Sequence, residues 1–580
     1  MSKLSVDQKT IQRLFSDQKF NFLIPDYQRP YAWTEDQCQV LWEDLFAFIF
    51  PNDDKDEFED NEYFLGPIVT FRNERGQSEV IDGQQRLTTL MLLLRAFYDK
   101  FENMKDQQSI TTKENIAKCI WKTDEFDKPD KNKLKIDSEV ATDNDKEEFL
   151  SILKTGKATP DQKSKYSINF RYFQKKIDEF LTGYPGYFPY MPNRIMKNCI
   201  LLPIEAESQD TALRIFSTLN DRGLPLSDAD IFKAQFYKVY SEKKEKDEFI
   251  EKWRQVEELC CDIFKTQNGS PMDEIFTKYM YYERARLGNK KTTTEALRKF
   301  YEKDNYSLLK KEGAFENIIE LANFWKDVEN QNESKFTDEV LRKFFVLNYA
   351  PNGMWTYFTS VYFMHNKDED GNLNQEKLNR FLGKAIAFIW TYAITNPGVG
   401  ALRGPVYNEM INIVNDRDIT FENYKFDRES VRTAFGNFEF SNGRPITKSM
   451  LAWWMFANPE QTLLDINTKF HVEHIFAKNR LNKGDENALV DEKNLESLGN
   501  KSFLEAKINI GASDYRFEDK KKWYIGHTKG KKQKKGGTNI ADLVEIANTY
   551  KEFGEKDIIA RKKKIIDRFV EHLASENLLK

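Results

Sequence analysis

Apolar and polar residues alternate along the chain with two periodicities, one typical of strands and one typical of helices. These periodicities predict the secondary-structure elements. In the first 110 residues, short apolar runs alternate with amphipathic stretches, which is typical of a mixed α/β unit. Tyr63–Arg72 and Glu79–Ile81 are predicted strands, and Gln84–Phe97 has helical spacing. Thr34 is a good N-cap for an amphipathic helix that follows it.

The remainder of the chain is predicted to be mainly helical. Residues 111–165 have weak periodicity, which predicts loops and short helices, as in an insertion, and Ile200–Ile204 is a further predicted strand. Residues 235–440 have helical spacing, many aromatic residues and no fixed-period repeat. We therefore expect an α+β fold that is largely helical. The predicted domains are an α/β domain at 1–240, a helical connecting domain at 241–440 and a C-terminal domain at 441–580.

Composition narrows the class of protein. A chain of 580 residues is too long for one hydrophobic core. A net charge of −5 means that any contact with nucleic acid must come from local patches. The five cysteines form no CxxC pair, which suits a reducing cytoplasm and argues against a zinc–cysteine site. The N-terminus has no apolar signal core, and the most apolar stretch, around Phe381–Ile394, is too short to span a bilayer.

Two of the five histidines lie three residues apart, at His471 and His474, and Glu473 directly precedes the second. This pattern suits metal-assisted phosphodiester hydrolysis, because a carboxylate holds Mg²⁺ while a neutral histidine takes a proton from water. An isolated match of this size is chance about half the time. A zinc pair is the alternative, but HExxH is absent and no cysteine lies nearby, so Mg²⁺ is favoured.

Two downstream asparagines, Asn500 and Asn509, strengthen this interpretation. With them, the segment resembles the HNH (ββα-metal) nucleases, and the nine-residue step between the asparagines is similar to the version in CRISPR effectors. The resemblance implies that His474 is the general base, that Glu473 and Asn509 bind Mg²⁺ or Mn²⁺, and that Asn500 holds the first strand's geometry. His471 is either a secondary site residue or structural, and the sequence leaves this open.

The region after the motif is basic. Residues 501–535 contain eleven Lys/Arg and four Asp/Glu, a net charge of +7. Such charge binds phosphates without reading bases. The candidate DNA contacts are Lys520, Lys521, Lys522, Lys531 and Lys532. A solvated lysine loop is the alternative for the glycine-rich part, and the Trp-Tyr pair after Lys522 is expected in the core.

A second motif, Val80–Thr88, places a strand, a glycine turn and a helix start in succession. A helix N-terminus with a nearby arginine, here Arg86, is a natural phosphate site. Gly83 would let the backbone approach the ligand, and Asp82 could bind a metal or a ribose, or activate water. On its own, however, the motif is more simply a capped helix with a surface arginine.

Two further motifs occur at Ile24–Trp33 and Ile215–Asp230, one before and one after Val80–Thr88. With all three, the chain resembles the ParB-like DGQQR domain of modification-dependent restriction systems, which include the GmrSD type and the phosphorothioate-sensing SspE type. The resemblance implies an N-terminal domain that binds and hydrolyses nucleotide. This domain senses modified DNA or is stimulated by nucleotide, and it licenses cutting by the HNH-like domain. The nucleotide-site residues that it implies are Asp82, Gly83, Gln84, Gln85, Arg86, Tyr27, Gln28, Arg29, Asn220 and Arg222.

The expected function is that of an NTP-regulated, modification-dependent DNA endonuclease of antiphage defence. It would act in the cytoplasm on double-stranded, modified phage DNA, with Mg²⁺ or Mn²⁺ and with GTP or ATP, and a homodimer is left open. No Walker A motif occurs, so the NTPase would not be of P-loop type. The alternatives are a phosphorothioate-sensing nicking effector and a non-catalytic nucleotide- and DNA-binding regulator. The chain departs from the family pattern at Ala477, usually Pro, and at Lys501, usually Leu.

Overall fold

The chain is described by a computed structural model. The described residues are all except 1–4, 7, 51–60, 141–142, 210, 213–214, 216–226, 266–269, 293–294, 399, 482–488, 513–515 and 530–531. They group into two compact units, Met1–Gln255 and Val256–Lys580. The expected α+β class is confirmed, since helices dominate and one large sheet is mixed. The finer division into three domains stays a prediction.

The first unit combines one large sheet with helices. Its strands are β1 (Ser5–Val6), β2 (Lys9–Thr10), β3 (Phe22–Ile24), β4 (Tyr63–Arg72), β5 (Ser78–Asp82), β6 (Trp121–Thr123), β7 (Pro129–Leu134), β8 (Ile136–Ser138) and β9 (Cys199–Ala206). Its helices are α1 (Ile11–Ser16), α2 (Glu35–Ile49), α3 (Gln84–Lys100), α4 (Gln107–Ile120), α5 (Lys146–Thr155), α6 (Lys165–Gly183), α7 (Tyr190–Asn198), α8 (Asp228–Glu242) and most of α9 (Lys246–Ile263).

The large sheet has seven strands in the order β1-β9-β4-β5-β3-β8, and β2 also pairs with β9. β4 lies parallel to β9 and antiparallel to β5, while β3 lies parallel to both β5 and β8. The prediction that residues 111–165 form loops and short helices, as in an insertion, is wrong at Ile136–Ser138, because β8 is an edge strand of this sheet, although α5 is a short helix as expected. Three residues are too few for a periodic signal, so only the pairing with β3 reveals the strand.

Helix α3 lies at the centre of the first unit's core. Its buried positions run from Gln84 to Tyr98 with few interruptions, so the helix is covered on all sides. The predicted N-cap Thr34 is confirmed, since it forms a capping box with Gln37 at the start of α2. A fully buried α3 fixes the position of its first turn, where the DGQQR motif lies.

The second unit is mainly helical. Its helices are α10 (Pro271–Arg286), α11 (Leu297–Tyr301), α12 (Ala314–Glu329), α13 (Asp338–Leu347), α14 (Met354–Asn366), α15 (Gln375–Thr395), α16 (Arg403–Ile413), α17 (Arg428–Asn437), α18 (Pro445–Met455), α19 (Ala506–Ala512), α20 (Phe517–Ile525), α21 (Ala541–Thr549) and α22 (Glu555–Ser575). Its strands are β10 (Phe470–His474), β11 (Lys501–Glu505), β12 (His527–Lys529) and β13 (Lys532–Lys535). Short 3-10 helices at Lys478–Arg480, Glu492–Glu496 and Leu498–Asn500 connect β10 to β11.

β10 and β11 form an antiparallel pair that runs directly into α19. The register pairs Phe470 with Glu505 at one end and His474 with Lys501 at the other. This ββα unit carries the histidine motif on its first strand. Within the described ranges, no helix is both long and apolar enough to cross a bilayer.

Candidate active site

The candidate active site lies at the end of β10. Neighbouring side chains on a strand point to opposite faces, and here Glu473 turns towards α19 and α20 while His474 turns towards the 3-10 helix Glu492–Glu496. Lys520 bridges the two positions, because its Nζ binds both the Glu473 carboxylate and the His474 backbone carbonyl. The end of β10 thus carries the predicted metal ligand and the predicted base on adjacent residues, whose side chains have different partners.

Glu473 is buried, with 5% of its surface exposed. Its Oε2 accepts a hydrogen bond of 3.0 Å from Asn509 Nδ2, so the two predicted metal ligands are in contact. Its Oε1 accepts hydrogen bonds from Lys520 Nζ at 2.8 Å and from Tyr524 Oη at 2.6 Å. Both carboxylate oxygens are therefore hydrogen-bonded, and the charge of the carboxylate is balanced by a buried ammonium group.

His474 lies opposite a second carboxylate. Its Nε2 is 3.2 Å from Glu496 Oε1, at the end of the 3-10 helix. Burial and the nearby Lys501 charge lower the pKa of His474 to about 4, and Glu496 opposes this shift only in part. The ring is therefore neutral near pH 7, which is the form that accepts a proton.

Asn500 holds the chain where it leaves β10. The residue is fully buried, and its Oδ1 accepts a 2.7 Å hydrogen bond from the Phe476 N–H. Its Nδ2 donates to the carbonyls of Phe476, at 3.2 Å, and Leu495, at 3.0 Å. The Ile475 N–H also donates to the Asn500 carbonyl, at 2.9 Å. This side chain thus replaces the strand pairing that β10 loses beyond His474.

Helix α22 packs against the connection between β10 and β11. Arg561 donates to the carbonyls of Leu498, Gly499 and Lys501, and its other guanidinium nitrogen pairs with Asp542 at 2.5 Å. A Cβ on Gly499 would lie 2.0 Å from the Ile558 carbonyl of α22. Only glycine therefore lets the Leu498–Asn500 turn pack this closely on the helix.

A divalent cation would be held here by Glu473 and Asn509. Both offer hard oxygen ligands, since Glu473 has carboxylate oxygens and Asn509 has an amide oxygen. Mg²⁺ keeps several waters and needs only one or two protein ligands, so the pair fits Mg²⁺ or Mn²⁺. Among the described residues, no three His, Cys, Asp or Glu side chains gather closely enough to hold a metal ion.

The basic stretch presents fewer exposed charges than its composition predicts. The expectation that Lys520 contacts DNA is wrong, because the residue is 1% exposed and paired with Glu473. Lys521 donates to the Tyr550 carbonyl at 2.7 Å, and the exposed Lys522 pairs with Asp519 at 2.8 Å. Lys531 lies outside the described residues, as does the side chain of Lys532.

In the first unit, the start of α3 gathers Asp82, Gly83 and Arg86. Gly83 is the helix N-cap with φ of +92°, and a Cβ there would lie 3.1 Å from Ile68 Cγ1. The positive φ and the close contact with β4 are thus the reasons that this position requires glycine. The sequence had instead suggested that Gly83 lets the backbone approach a ligand. Burial raises the pKa of Asp82, although Arg86, Arg29 and the Gly83 N–H oppose the shift.

Arg86 lies against β4. Its Nη1 donates to the Pro67 carbonyl at 2.8 Å, and Gly66, with φ of +118°, leaves room for the guanidinium group. A Cβ on Gly66 would lie 3.0 Å from that group. Burial lowers the pKa of Arg86 and Asp82 raises it, so the two side chains form a partly buried pair of charges.

Several residues that the family resemblance assigned to nucleotide binding have structural contacts. The Gln85 side chain binds the backbone of Pro30, Ala32 and Trp33. The Gln28 side chain donates to the carbonyls of β5 at positions 80 and 81. Both amides thus hold the Ile24–Trp33 segment in place, and their part in nucleotide binding stays a prediction.

The remaining predicted residues of this site differ in accessibility. Tyr27 is 5% exposed, with its hydroxyl 3.5 Å from Glu79, so it belongs to the core rather than to a ligand surface. Gln84 is buried at the first position of α3, and Arg29 lies close enough to influence Asp82. The predictions for Asn220 and Arg222 lie outside the described residues.

Two family models match the chain. Residues 11–237 match the N-terminal domain of the GmrSD restriction endonuclease, and residues 426–568 match the C-terminal domain of GmrSD restriction endonucleases. The chain belongs to the GmrSD restriction endonucleases. It is therefore a restriction-type DNA endonuclease, and DNA is its substrate. A search of curated proteins found no match.

The two GmrSD domain matches contain the geometry described above. The N-terminal match includes the Asp82–Arg86 turn, and the C-terminal match includes the whole ββα unit from Phe470 to Ala512. Sequence reasoning missed Glu496 as the partner of His474, and it noted Lys501 only as a departure from the pattern. It also missed Gly66, although a glycine inside a predicted strand is a recognised signal of a close approach.

Proposed function

We propose that this GmrSD-type endonuclease cuts DNA by metal-assisted hydrolysis in its C-terminal ββα unit. His474 takes a proton from the attacking water, Glu473 and Asn509 hold Mg²⁺ or Mn²⁺, and Asn500 keeps the strand end in place. A bound cation would supply charge stabilisation at the scissile phosphate. The observation that carries the proposal is the 3.0 Å contact between Glu473 and Asn509 beside a neutral His474.

The metal requirement is tested by plasmid cleavage as a function of Mg²⁺ concentration. We expect no cleavage in EDTA, and we expect Asn509→Ala to need at least about 10-fold more Mg²⁺ for half-maximal rate, since one of two protein ligands is lost. Asn467→Ala, at an exposed asparagine beside β10, is the matched control. An unchanged Mg²⁺ dependence in Asn509→Ala would remove this residue from the metal site.

We further propose that a nucleotide, GTP or ATP, binds at the start of α3 and regulates cutting. Gly83 has no side chain to cap the helix, so the first-turn N–H groups can face phosphate oxygens. Arg86 supplies a positive charge at the same turn, and Asp82 has a raised pKa suited to taking up a proton. Arg86→Ala is expected to weaken nucleotide binding, while Arg75→Ala, at an exposed arginine, leaves it unchanged.

Dependence on DNA modification is the final part of the proposal. The test is a panel of unmodified, glucosylated, methylated and phosphorothioated DNAs, each incubated with and without GTP or ATP. Cleavage restricted to one modified DNA and stimulated by nucleotide supports regulated restriction. Nicking confined to phosphorothioated DNA would favour the nicking effector, and equal cleavage of all four DNAs without nucleotide would contradict the proposal.

A further inference from the structure

A second carboxylate, that of Glu496, contacts the His474 ring. Glu496 Oε1 lies 3.2 Å from His474 Nε2, and Glu496 ends the 3-10 helix Glu492–Glu496. Both side chains are partly exposed, at 15% for His474 and 27% for Glu496, so the pair borders the accessible strand end. A carboxylate in this position touches neither Glu473 nor Asn509 through any described hydrogen bond, and it is separate from the proposed metal ligands.

The other oxygen of Glu496 is held by Lys501. Lys501 Nζ lies 2.5 Å from Glu496 Oε2 and 2.7 Å from Asn442 Oδ1, and the lysine side chain is fully buried. Lys501 is the cross-strand partner of His474 in the β10–β11 register. A buried lysine is costly unless it is paired, and here Glu496 and Asn442 pair it.

The backbone of Lys501 is also fixed, because its carbonyl accepts a 2.9 Å hydrogen bond from Arg561. Glu496 therefore has one oxygen on the histidine and the other on an anchored lysine, and it cannot rotate without breaking one contact. The charge of the carboxylate is balanced by the ammonium group. The pair thus orients His474 without adding net negative charge where a DNA phosphate must approach.

We propose that Glu496 is a positioning residue for DNA hydrolysis, which fixes the tautomer of His474 and is itself held by Lys501. A carboxylate only accepts hydrogen bonds, so Nε2 must carry the hydrogen. The neutral ring then presents the lone pair of Nδ1 to water. This inference rests on the proposed role of His474 as the general base.

The proton and bond changes follow from this tautomer. The attacking water gives a proton to Nδ1 of His474 as its oxygen forms a new bond to phosphorus. The bond from phosphorus to the leaving sugar oxygen breaks, and that oxygen takes a proton from solvent. The imidazolium that results stays hydrogen-bonded to Glu496 through Nε2–H until it returns its proton to solvent.

The kinetic test is Glu496→Gln in the full chain, with Glu492→Gln as the matched control on the exposed face of the same 3-10 helix. We expect kcat for plasmid cleavage to fall about 10- to 100-fold with KM for DNA unchanged, as for other residues that orient a site from behind. The control should keep the wild-type kcat. A wild-type kcat in Glu496→Gln would overturn the proposal.

Lys501→Met tests the rest of the arrangement. If Lys501 acts only through Glu496, the double variant Glu496→Gln/Lys501→Met should be no slower than Glu496→Gln alone. A full multiplication of the two losses would overturn the role given to Lys501. Thermal unfolding of each variant shows whether lost activity reflects lost folding.

A spectroscopic test needs no folded variant at Glu496. In the wild-type chain labelled with ¹⁵N-histidine, the His474 signals, identified by their loss in His474→Gln, should show one neutral tautomer with hydrogen on Nε2. Hydrogen on Nδ1, or a mixture of tautomers, would overturn the inference. Retained cleavage in His474→Ala would instead overturn the proposed function, so the two failures are distinguishable.

Discussion

Replacing Asn500 by alanine tests how the nuclease site is held in place. The asparagine side chain makes three hydrogen bonds to backbone groups of Phe476 and Leu495, in a position with no solvent exposure. Each such bond contributes about 1 kcal/mol net, and the backbone partners left behind cannot reach water. We therefore expect Asn500→Ala to lower the free energy of unfolding of the second unit by about 3 kcal/mol.

The assay combines thermal unfolding of the full chain with plasmid cleavage below the unfolding range. A loss of about 3 kcal/mol should lower the midpoint of the second unit's transition by roughly 5 °C. Cleavage should fall at least about 10-fold, because the end of β10 that carries His474 is no longer fixed. Asn467→Ala is the control, with an exposed side chain. A midpoint equal to that of the control would refute the role given to Asn500.

Three further predictions concern pH, backbone space and salt. Burial and a nearby lysine lower the folded-state pKa of His572 to about 4, below its unfolded value of 6.5, so up to about 3 kcal/mol of stability is present above pH 6.5 and lost between pH 6.5 and 4. Urea unfolding at pH 7.5 and 5.0 should show this loss, and His572→Gln should reduce it. Gly66→Ala should weaken nucleotide binding and stability by crowding Arg86, whereas Gly76→Ala, which also has positive φ but open space, should leave nucleotide binding unchanged. DNA affinity should fall steeply with NaCl, with a log–log slope of about −3 or steeper, and a flat response would contradict phosphate binding by residues 501–535.

The histidine motif could be found from sequence because its chemistry is local. Glu473 and His474 are adjacent, and the resemblance to the HNH nucleases identified Asn500 and Asn509 through the nine-residue step between them. The predicted strands of the first unit and the helical middle were found for the same reason, since periodicity reports on neighbouring residues. The helices over 235–440 are confirmed in the described residues of that range.

Contacts between distant residues were beyond sequence reasoning. Glu496 lies 22 residues from His474, and only the folding of the connection brings the two side chains together. In the sequence, Lys501 was only a departure from the family pattern. The β10–β11 register shows that it lies directly across from His474. The three-residue β8 had no periodic signal, because its burial depends on a neighbouring strand.

The lysine run at Lys520–Lys522 shows what a closer use of periodicity would have detected. In α20, Phe517, Lys520 and Tyr524 share one helical face, and all three are buried. The spacing therefore distinguishes Lys520 from its two neighbours, although composition counts the three lysines as equal. The buried lysine then pairs with Glu473 inside the nuclease site.

The most direct test of the nuclease site is plasmid cleavage in Mg²⁺ by the wild type and His474→Ala. His365→Ala, at a histidine that pairs with Asp416 away from the site, is the matched control. We predict that the wild type and His365→Ala cut at the same rate while His474→Ala loses at least about 100-fold, as expected for a lost general base. Cleavage by His474→Ala at the wild-type rate would contradict the assignment of the ββα unit as the site of DNA hydrolysis.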